Sequence, residues 1–386
     1  MVGFRQSRAK RGFDNATDNL ISMEAPLKIG LVRQRYVASG GAERYLHGVI
    51  EELIARGHKA HLFANAWSET PGVQFHHVPI IRGMSWTKIL TFALAARSVV
   101  KRAECDLVFS LDRTLKQDVY RAGDGCHREW LLERGGGRFA QFNPLHLTIL
   151  AMEKRVFSPV RTGWIIANSK RGRDEIIKHY KFPAERIEVI YNGVDLKRFQ
   201  PRPAKVMGKE VRLLFVGTGF QRKGLAFCIG ALRKLPHFYN LTIVGKGDIR
   251  HYARQAADLG VADRVRFAGH DLDMPAEYAR ADVLVHPAIY EPFANVCLEA
   301  LASGVPVVTS RVNGASEIIR HGENGAIVEH PHDLDELVAA IRLFERRNAS
   351  IPARKTAEQF PFADNVQRTL DLLFAVKAAK ARESKA

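Results

Sequence analysis

Glu291 and Glu299 stand eight positions apart, one on either side of the start of an apolar helical stretch. Two carboxylates so placed have the makings of a general acid and base, or of anchors for sugar hydroxyls. A strand, Val283-Leu284-Val285, leads in. Pro292 occupies a place that a first helical turn tolerates, Val296 to Ala302 reads as the helix, and Gly304 falls just past its end. The amides of Phe293, Ala294 and Asn295 then have no intrahelical acceptor, which makes them a site for an anion or for polar oxygens.

A second candidate is Gly217-Thr218-Gly219-Phe220-Gln221-Arg222-Lys223-Gly224. Its last glycine comes one residue late for a dinucleotide fingerprint. It does put Arg222 and Lys223 near a helix start, where two cations can neutralise a departing diphosphate, although such a pair is also common on a solvated surface. Gly40-Gly41 lets backbone approach a ligand, or simply makes a tight turn. Asp118, Arg121 and Asp124 follow the strand end Phe109-Ser110, the region of a cleft-facing base. Asp271-Leu272-Asp273 and Asp333-Leu334-Asp335 fit a short acidic metal pattern but read as structural, the second as a helix start, so no catalytic metal is expected. His58, His61 and His286 read as structural, while His270, after a strand and Gly269, stays a candidate at the cleft edge. Asn192-Gly193 reads as turn chemistry at a domain junction.

These residues need elements to position them. Leu27 to Val32 reads as a buried strand, the glycine loop follows, and Leu46, Val49, Ile50 and Leu53 line one face of a helix. Ala60 to Ala64, Val78-Pro79-Ile80, Asp106 to Ser110 and Trp164 to Asn168 continue a parallel, doubly wound sheet. The pattern restarts at Val211 to Gly217, with a helix over Leu225 to Leu235 and strands at Leu241 to Val244, Val265 to Phe267, Val283 to Val285 and Val305 to Thr309. The fold class is therefore α/β: two Rossmann-like parallel-sheet domains facing across a cleft, with ligands beyond the strand C-termini. The expected boundaries are a flexible extension over 1–24, an N-terminal domain over 25–200, a linker over 201–210, a C-terminal domain over 211–352, and a terminal helical segment over 353–386 packing back onto the N-terminal domain. Met23 is an alternative start.

Bulk properties narrow the function. The 386 residues, 46% of them hydrophobic, supply two cores, and a net charge of +17 asks for an anionic partner. Four scattered cysteines, Cys105, Cys126, Cys228 and Cys297, suit neither a disulfide framework nor a zinc site and fit a reducing cytoplasm. The longest apolar run, Ile89 to Val100, is short and carries Arg97, so no membrane span is expected.

Taken together the motifs resemble the retaining glycosyltransferase family 4, of GT-B architecture. The resemblance rests on Glu291 to Glu299, Gly40-Gly41-Ala42-Glu43-Arg44, Asn192-Gly193-Val194-Asp195 and Gly217 to Gly224, the last similar to lipopolysaccharide core glucosyltransferases, as is Tyr120 to Cys126. It implies that Glu299 binds the ribose of a nucleotide-sugar donor. It implies that Glu291, with the backbone at Phe293, Ala294 and Asn295, binds donor-sugar hydroxyls, and that Val296, Gly217 and His270 complete the donor site. Arg222 and Lys223 would stabilise the diphosphate without a metal, and Gly41 would approach it from the N-terminal domain. Asp124 matches the subgroup's acceptor-activating acid, where many members carry a histidine. The implied reaction is front-face transfer of a hexose, glucose from UDP-glucose first, to a glycolipid or oligosaccharide acceptor such as lipopolysaccharide core.

Residues 127–157 interleave Arg128, Arg134, Arg138, Lys154 and Arg155 with Trp130, Leu131, Leu132, Phe139, Phe142, Leu147 and Leu150. That composition suits an anionic membrane face or an amphipathic helix pair packed on the sheet; the subgroup resemblance favours docking, on the cytoplasmic face of the inner membrane. Other readings are a mannosyl or N-acetylhexosaminyl transferase, a nucleotide-binding oxidoreductase, and a basic membrane- or nucleic-acid-binding module. The oxidoreductase needs a better glycine fingerprint, and the basic module leaves the two glutamates unexplained, so no nucleic-acid partner is expected.

Overall fold

Short runs rich in Val, Ile and Leu alternate with helices, and strands buried on both faces form all-parallel sheets. A computed structural model describes residues 26–35, 41–67, 70–135, 143–201, 210–270, 272–345 and 347–383. The extension 1–24, Gly40, Arg138, Phe139, Phe142, most of the linker 201–210 and Asp271 lie outside the described residues.

The first sheet contains β1 (Lys28–Val32), β2 (Lys59–Ala64), β3 (Val73–His77), β4 (Leu107–Ser110), β5 (Gln117–Arg121), β6 (Thr162–Ala167) and β7 (Ile187–Val189), in the order β3-β2-β1-β4-β5-β6-β7. Helices α1 (Gly41–Ala55), α2 (Ser85–Ala103), α3 (His127–Glu133), α4 (Pro144–Val156) and α5 (Lys170–Tyr180) connect them. The second sheet contains β8 (Val211–Val216), β9 (Tyr239–Val244), β10 (Val265–Gly269), β11 (Val283–His286), β12 (Val307–Ser310) and β13 (Gly325–Val328), ordered β10-β9-β8-β11-β12-β13. It carries α6 (Leu225–Lys234), α7 (Ile249–Asp258), α8 (Met274–Arg280), α9 (Asn295–Ala302), α10 (Leu334–Arg342) and α11 (Ser350–Ala357). Both strand orders reverse at the first strand of their sheet, and each reversal opens a crevice at the strand C-termini.

The final helix, α12 (Phe362–Glu383), leaves the second sheet. Its Val366, Leu370, Leu373 and Val376 enter the same core as Leu46 and Ile50 of α1, each side chain contributing about 1.5–3 kcal/mol on burial. The Tyr45 hydroxyl meets the Thr369 hydroxyl at 2.8 Å in that interface.

Several expectations need correction. Val78-Pro79-Ile80 is not a strand; the strand is Val73–His77, and a proline cannot continue a ladder as a donor. β5, β7 and β13 carry weak strand signals: β5 contains Gln, Asp and Arg, β7 has three residues, and β13 opens on Gly325. Asp118 belongs to β5 and accepts from the Val108 amide at 2.7 Å and from Lys380 at 2.9 Å, so it is a structural anchor and not a cleft base. Asp333 caps α10, accepting from the amides of Asp335 and Glu336.

Candidate functional site

Between the sheets lies a cleft of about 280 Å³, lined on one side by Arg222, Tyr290, Glu291 and Pro292 and on the other by Arg113, Gly123, Asp124, His127 and Trp130.

On the C-terminal wall, the loop after β8 brings its cations to the loop after β11. Glu291 Oε2 accepts from Lys223 Nζ at 2.8 Å and pairs with Arg222 Nη1 at 3.0 Å. Burial opposes the Glu291 charge, but Lys223 and Arg222 outweigh it and hold the carboxyl below its ordinary range. The stem of Lys223 crosses Gly217, where an added Cβ would come within 2.2 Å of Lys223 Cδ. Gly224, at φ +79°, similarly lies against the Pro287 carbonyl. The loop therefore needs glycine for close approach as much as for turning.

The stretch before α9 differs from the expected helix start. Pro292 lies in a bend ahead of the helix, and α9 begins at Asn295. The Glu291 amide reaches the Val312 carbonyl, and the Gly314 amide reaches the Glu291 carbonyl. The Ala294 amide is already used, donating at 3.2 Å to Asn313 Oδ1. Asn313, fully buried, also accepts from the Ala315 amide and donates to Thr309. It shapes this turn, and its signal in the sequence is the turn dipeptide Asn313-Gly314. Phe293 and Ala294 bury their side chains in the C-terminal core, with Val296 packed at its margin. Glu299 sits farther along α9, taking the Tyr278 hydroxyl at 2.9 Å and standing 3.7 Å from Arg44 of α1; burial raises its carboxyl above the ordinary range. His286 is fully buried behind Glu291, stacked on Phe215, and burial holds its ring down at about 3.

On the N-terminal wall Asp124 is well exposed, 3.7 Å from Arg113. Arg113 is fixed from below by Glu153 of α4, which is completely buried. Glu153 accepts from Arg113 at 3.0 Å, from the amides of His127 and Arg128 at 2.5 and 3.2 Å, and from the Tyr180 hydroxyl at 2.7 Å. These are charge-assisted bonds, stronger than neutral ones. His127 Nε2 meets His146 Nδ1 at 3.1 Å, and burial depresses the His127 ring to about 3. Arg121 does not reach the cleft. It lies over the Tyr45 ring and donates to Asn192.

The walls are tied together by side chains. Tyr290, next to Glu291, accepts from the Cys126 amide at 2.7 Å and donates to Glu175 at 2.8 Å across the junction. Gly125, at φ +68°, faces Tyr290 and Pro292, whose atoms an added Cβ would meet at 2.4 and 2.5 Å. Asn192 donates to Asn295, and an added Cβ on Gly41 would lie 2.7 Å from Asn295 Nδ2. The structure thus joins Lys223, Arg222 and Glu291 with Asp124 opposite, sets Gly41 against Asn295, and keeps Glu299 behind them. His270 does not line this cleft; it is exposed after the outer strand β10. Sequence reasoning missed Arg113, Glu153, Glu175 and Asn313. Among the described residues, no three His, Cys, Asp or Glu side chains gather into a possible metal set.

Comparison with known proteins places this geometry. Residues 39–198 match the family profile Glycosyltransferase Family 4, and residues 197–360 match Glycosyl transferases group 1. An uncharacterized glycosyltransferase of Methanocaldococcus jannaschii is 30% identical over 353 residues, covering 81% of this chain and 87% of that protein. The chain belongs to glycosyltransferase family 4. Another relative of this family 4 chain is the lipopolysaccharide glucosyltransferase WaaG of Escherichia coli K12, 26% identical over 325 residues, 80% of this chain and 87% of WaaG. A WaaG crystal structure superposes with a TM-score of 0.79 at 23% identity, covering 89% of this chain and 99% of that one. Anabaena HepE, solved with UDP and glucose, gives a TM-score of 0.71 at 22% identity, over 90% and 99% of the two chains. These likenesses give the fold: GT-B, with two Rossmann-like domains.

Proposed function

We propose that this family 4 glycosyltransferase moves a hexose, glucose from UDP-glucose first, onto a sugar of a lipopolysaccharide core or other lipid-linked glycan, with retained anomeric configuration and without a metal. The observation that carries this reading is the trio Lys223, Arg222 and Glu291 in the cleft opposite Asp124. Lys223 and Arg222 supply fixed positive charge where the donor's C1–O bond breaks and a nucleoside diphosphate departs. Glu291 Oε2 holds both cations, leaving Oε1 to accept a donor hydroxyl. Glu299 clamps the ribose, and the chain at Phe293 to Val296 borders the donor sugar. The acceptor hydroxyl attacks from the face the diphosphate leaves, and its proton passes to the leaving phosphate, with Asp124 orienting the hydroxyl. Catalysis is then chiefly orientation and charge stabilisation. A mannosyl or N-acetylhexosaminyl donor would use the same residues.

The test is nucleotide release from UDP-, ADP- and GDP-sugars, with rough lipopolysaccharides and octyl hexosides as acceptors. Release stimulated by a glycolipid, and greatest with UDP-glucose, is the expected result. Full transfer by both Glu291→Ala and Lys223→Ala overturns the site.

The protein works at the cytoplasmic membrane face in this reading. Among the described residues no helix is long and apolar enough to cross a membrane. Leu132 of α3 and Leu147 of α4 are exposed beside exposed Arg128, Arg134, Lys154 and Arg155, which supports docking on anionic lipid, while Met152 and Val156 pack inward. Sedimentation with no preference for anionic vesicles would remove this part.

A further inference from the structure

We infer that Trp130 is the platform on which the acceptor's sugar ring stacks, with His127 beside it and Asp124 at the reacting hydroxyl. This rests on the glycosyl-transfer reading above and adds the acceptor subsite to it. A pyranose presents hydroxyls around its rim and C–H groups on its faces, so its site needs polar anchors and a flat apolar surface together. The C-terminal wall offers an ion cluster, and its aromatic residue, Tyr290, spends its hydroxyl on Cys126 and Glu175. The N-terminal wall offers the indole of Trp130 and the imidazole of His127 next to Asp124.

Trp130 is not there to fill a core. Among the described residues it belongs to none of the apolar clusters that carry the two sheets, and it is half-buried at the cleft. Its ring is nevertheless held in place. His127 lies 5.0 Å away, His146 meets it edge-on at 5.5 Å, and the Arg134 guanidinium stands over it at 5.4 Å. His127 stays neutral at physiological pH because burial depresses it to about 3. Beneath the wall, Glu153 binds the amides that open α3 and the guanidinium beside Asp124. One buried carboxylate therefore fixes both the indole-bearing helix and the neighbour of Asp124. Their spacing is set by these bonds before any sugar arrives, which lowers the ordering cost of binding.

The test uses full-length Trp130→Ala and Trp130→Phe with the best acceptor of the panel, a rough lipopolysaccharide or an octyl hexoside. Trp130→Ala should raise the acceptor KM about tenfold or more, while the donor KM and calorimetric UDP affinity stay within about twofold; Trp130→Phe should recover most of the acceptor affinity. An acceptor KM unchanged by Trp130→Ala overturns the platform. So does a parallel loss of donor and acceptor affinity in Trp130→Phe, which marks Trp130 as merely structural. The transferase reading fails separately, in the wild type, if no sugar nucleotide is bound or consumed, and the platform falls with it.

Discussion

On the C-terminal wall of the cleft, Glu291 lies directly under Lys223 and Arg222. On the N-terminal wall the buried carboxylate, Glu153, sits a layer below, and the carboxylate at the surface, Asp124, is open to solvent. The first arrangement presents compensated charge to a ligand. The second uses buried charge to hold a scaffold and leaves the Asp124 carboxylate open at the surface. A wall for a diphosphate leaving group needs preorganised cations, whereas a wall for a neutral sugar needs shape and one or two polar contacts.

Removing one member of the trio should have the largest effect. Lys223→Ala should lower transfer about 10²–10³-fold and destabilise the protein by about 2–3 kcal/mol in urea unfolding, because it takes from a buried carboxylate its nearest cation while Arg222 stays beside it. Lys223→Ala/Glu291→Ala should regain part of that stability and none of the activity. A double variant no more stable than Lys223→Ala would show that the buried pair is not the cause.

Glu153→Ala tests the other wall. It removes an acceptor from Arg113, from two amides and from the Tyr180 hydroxyl, at about 3 kcal/mol of stability. Amide exchange at His127 and Arg128 should quicken. Unchanged protection there would separate Glu153 from the scaffold role.

Titration sharpens the contrast through two carboxylates of opposite sign. The lowered Glu291 contributes stability above its unfolded-state value, which is lost as pH falls through the folded value. Glu175, beside Tyr290, is raised by burial from the ordinary 4.5 to about 7, despite Arg171 and the Tyr290 hydroxyl. Its stability contribution is therefore greatest below the unfolded value and falls as pH rises toward 7, by about 1–3 kcal/mol. Glu175→Gln should flatten the stability profile between pH 5 and 8; a slope equal to wild type would dismiss Glu175 as its source.

The smallest effect should come from Tyr290→Phe. Losing one hydroxyl that bridges Cys126 and Glu175 should cost about 1–2 kcal/mol, read as a lower Tm. A Tm equal to wild type would mean that the bridge adds nothing to domain docking.

Much of this was legible in the chain. The two sheets announced themselves through buried apolar runs between glycine turns, and β1, β2, β4, β6 and most strands of the second sheet follow them closely. Lys223, Arg222 and Glu291 were legible because each lies in a short loop after an apolar strand, where chemistry and backbone signal coincide. β5 was not, since Gln117, Asp118 and Arg121 disguise a strand whose polar side chains are satisfied by Thr162, Val108 and Asn192. Tertiary partners overrode its local pattern.

The sequence by itself determined the fold class, the two glycine loops, the family motifs and the identity of the paired cations, because all of these reside in contiguous stretches governed by local sterics and periodicity. Only the tertiary structure decided that Ala294 gives its amide to Asn313, that Asp118 faces away from the cleft, and that Glu153 underlies Asp124 and Trp130. Those facts depend on residues far apart in the chain meeting where charge has been removed from water. There each buried donor or acceptor must find whichever partner the packing brings.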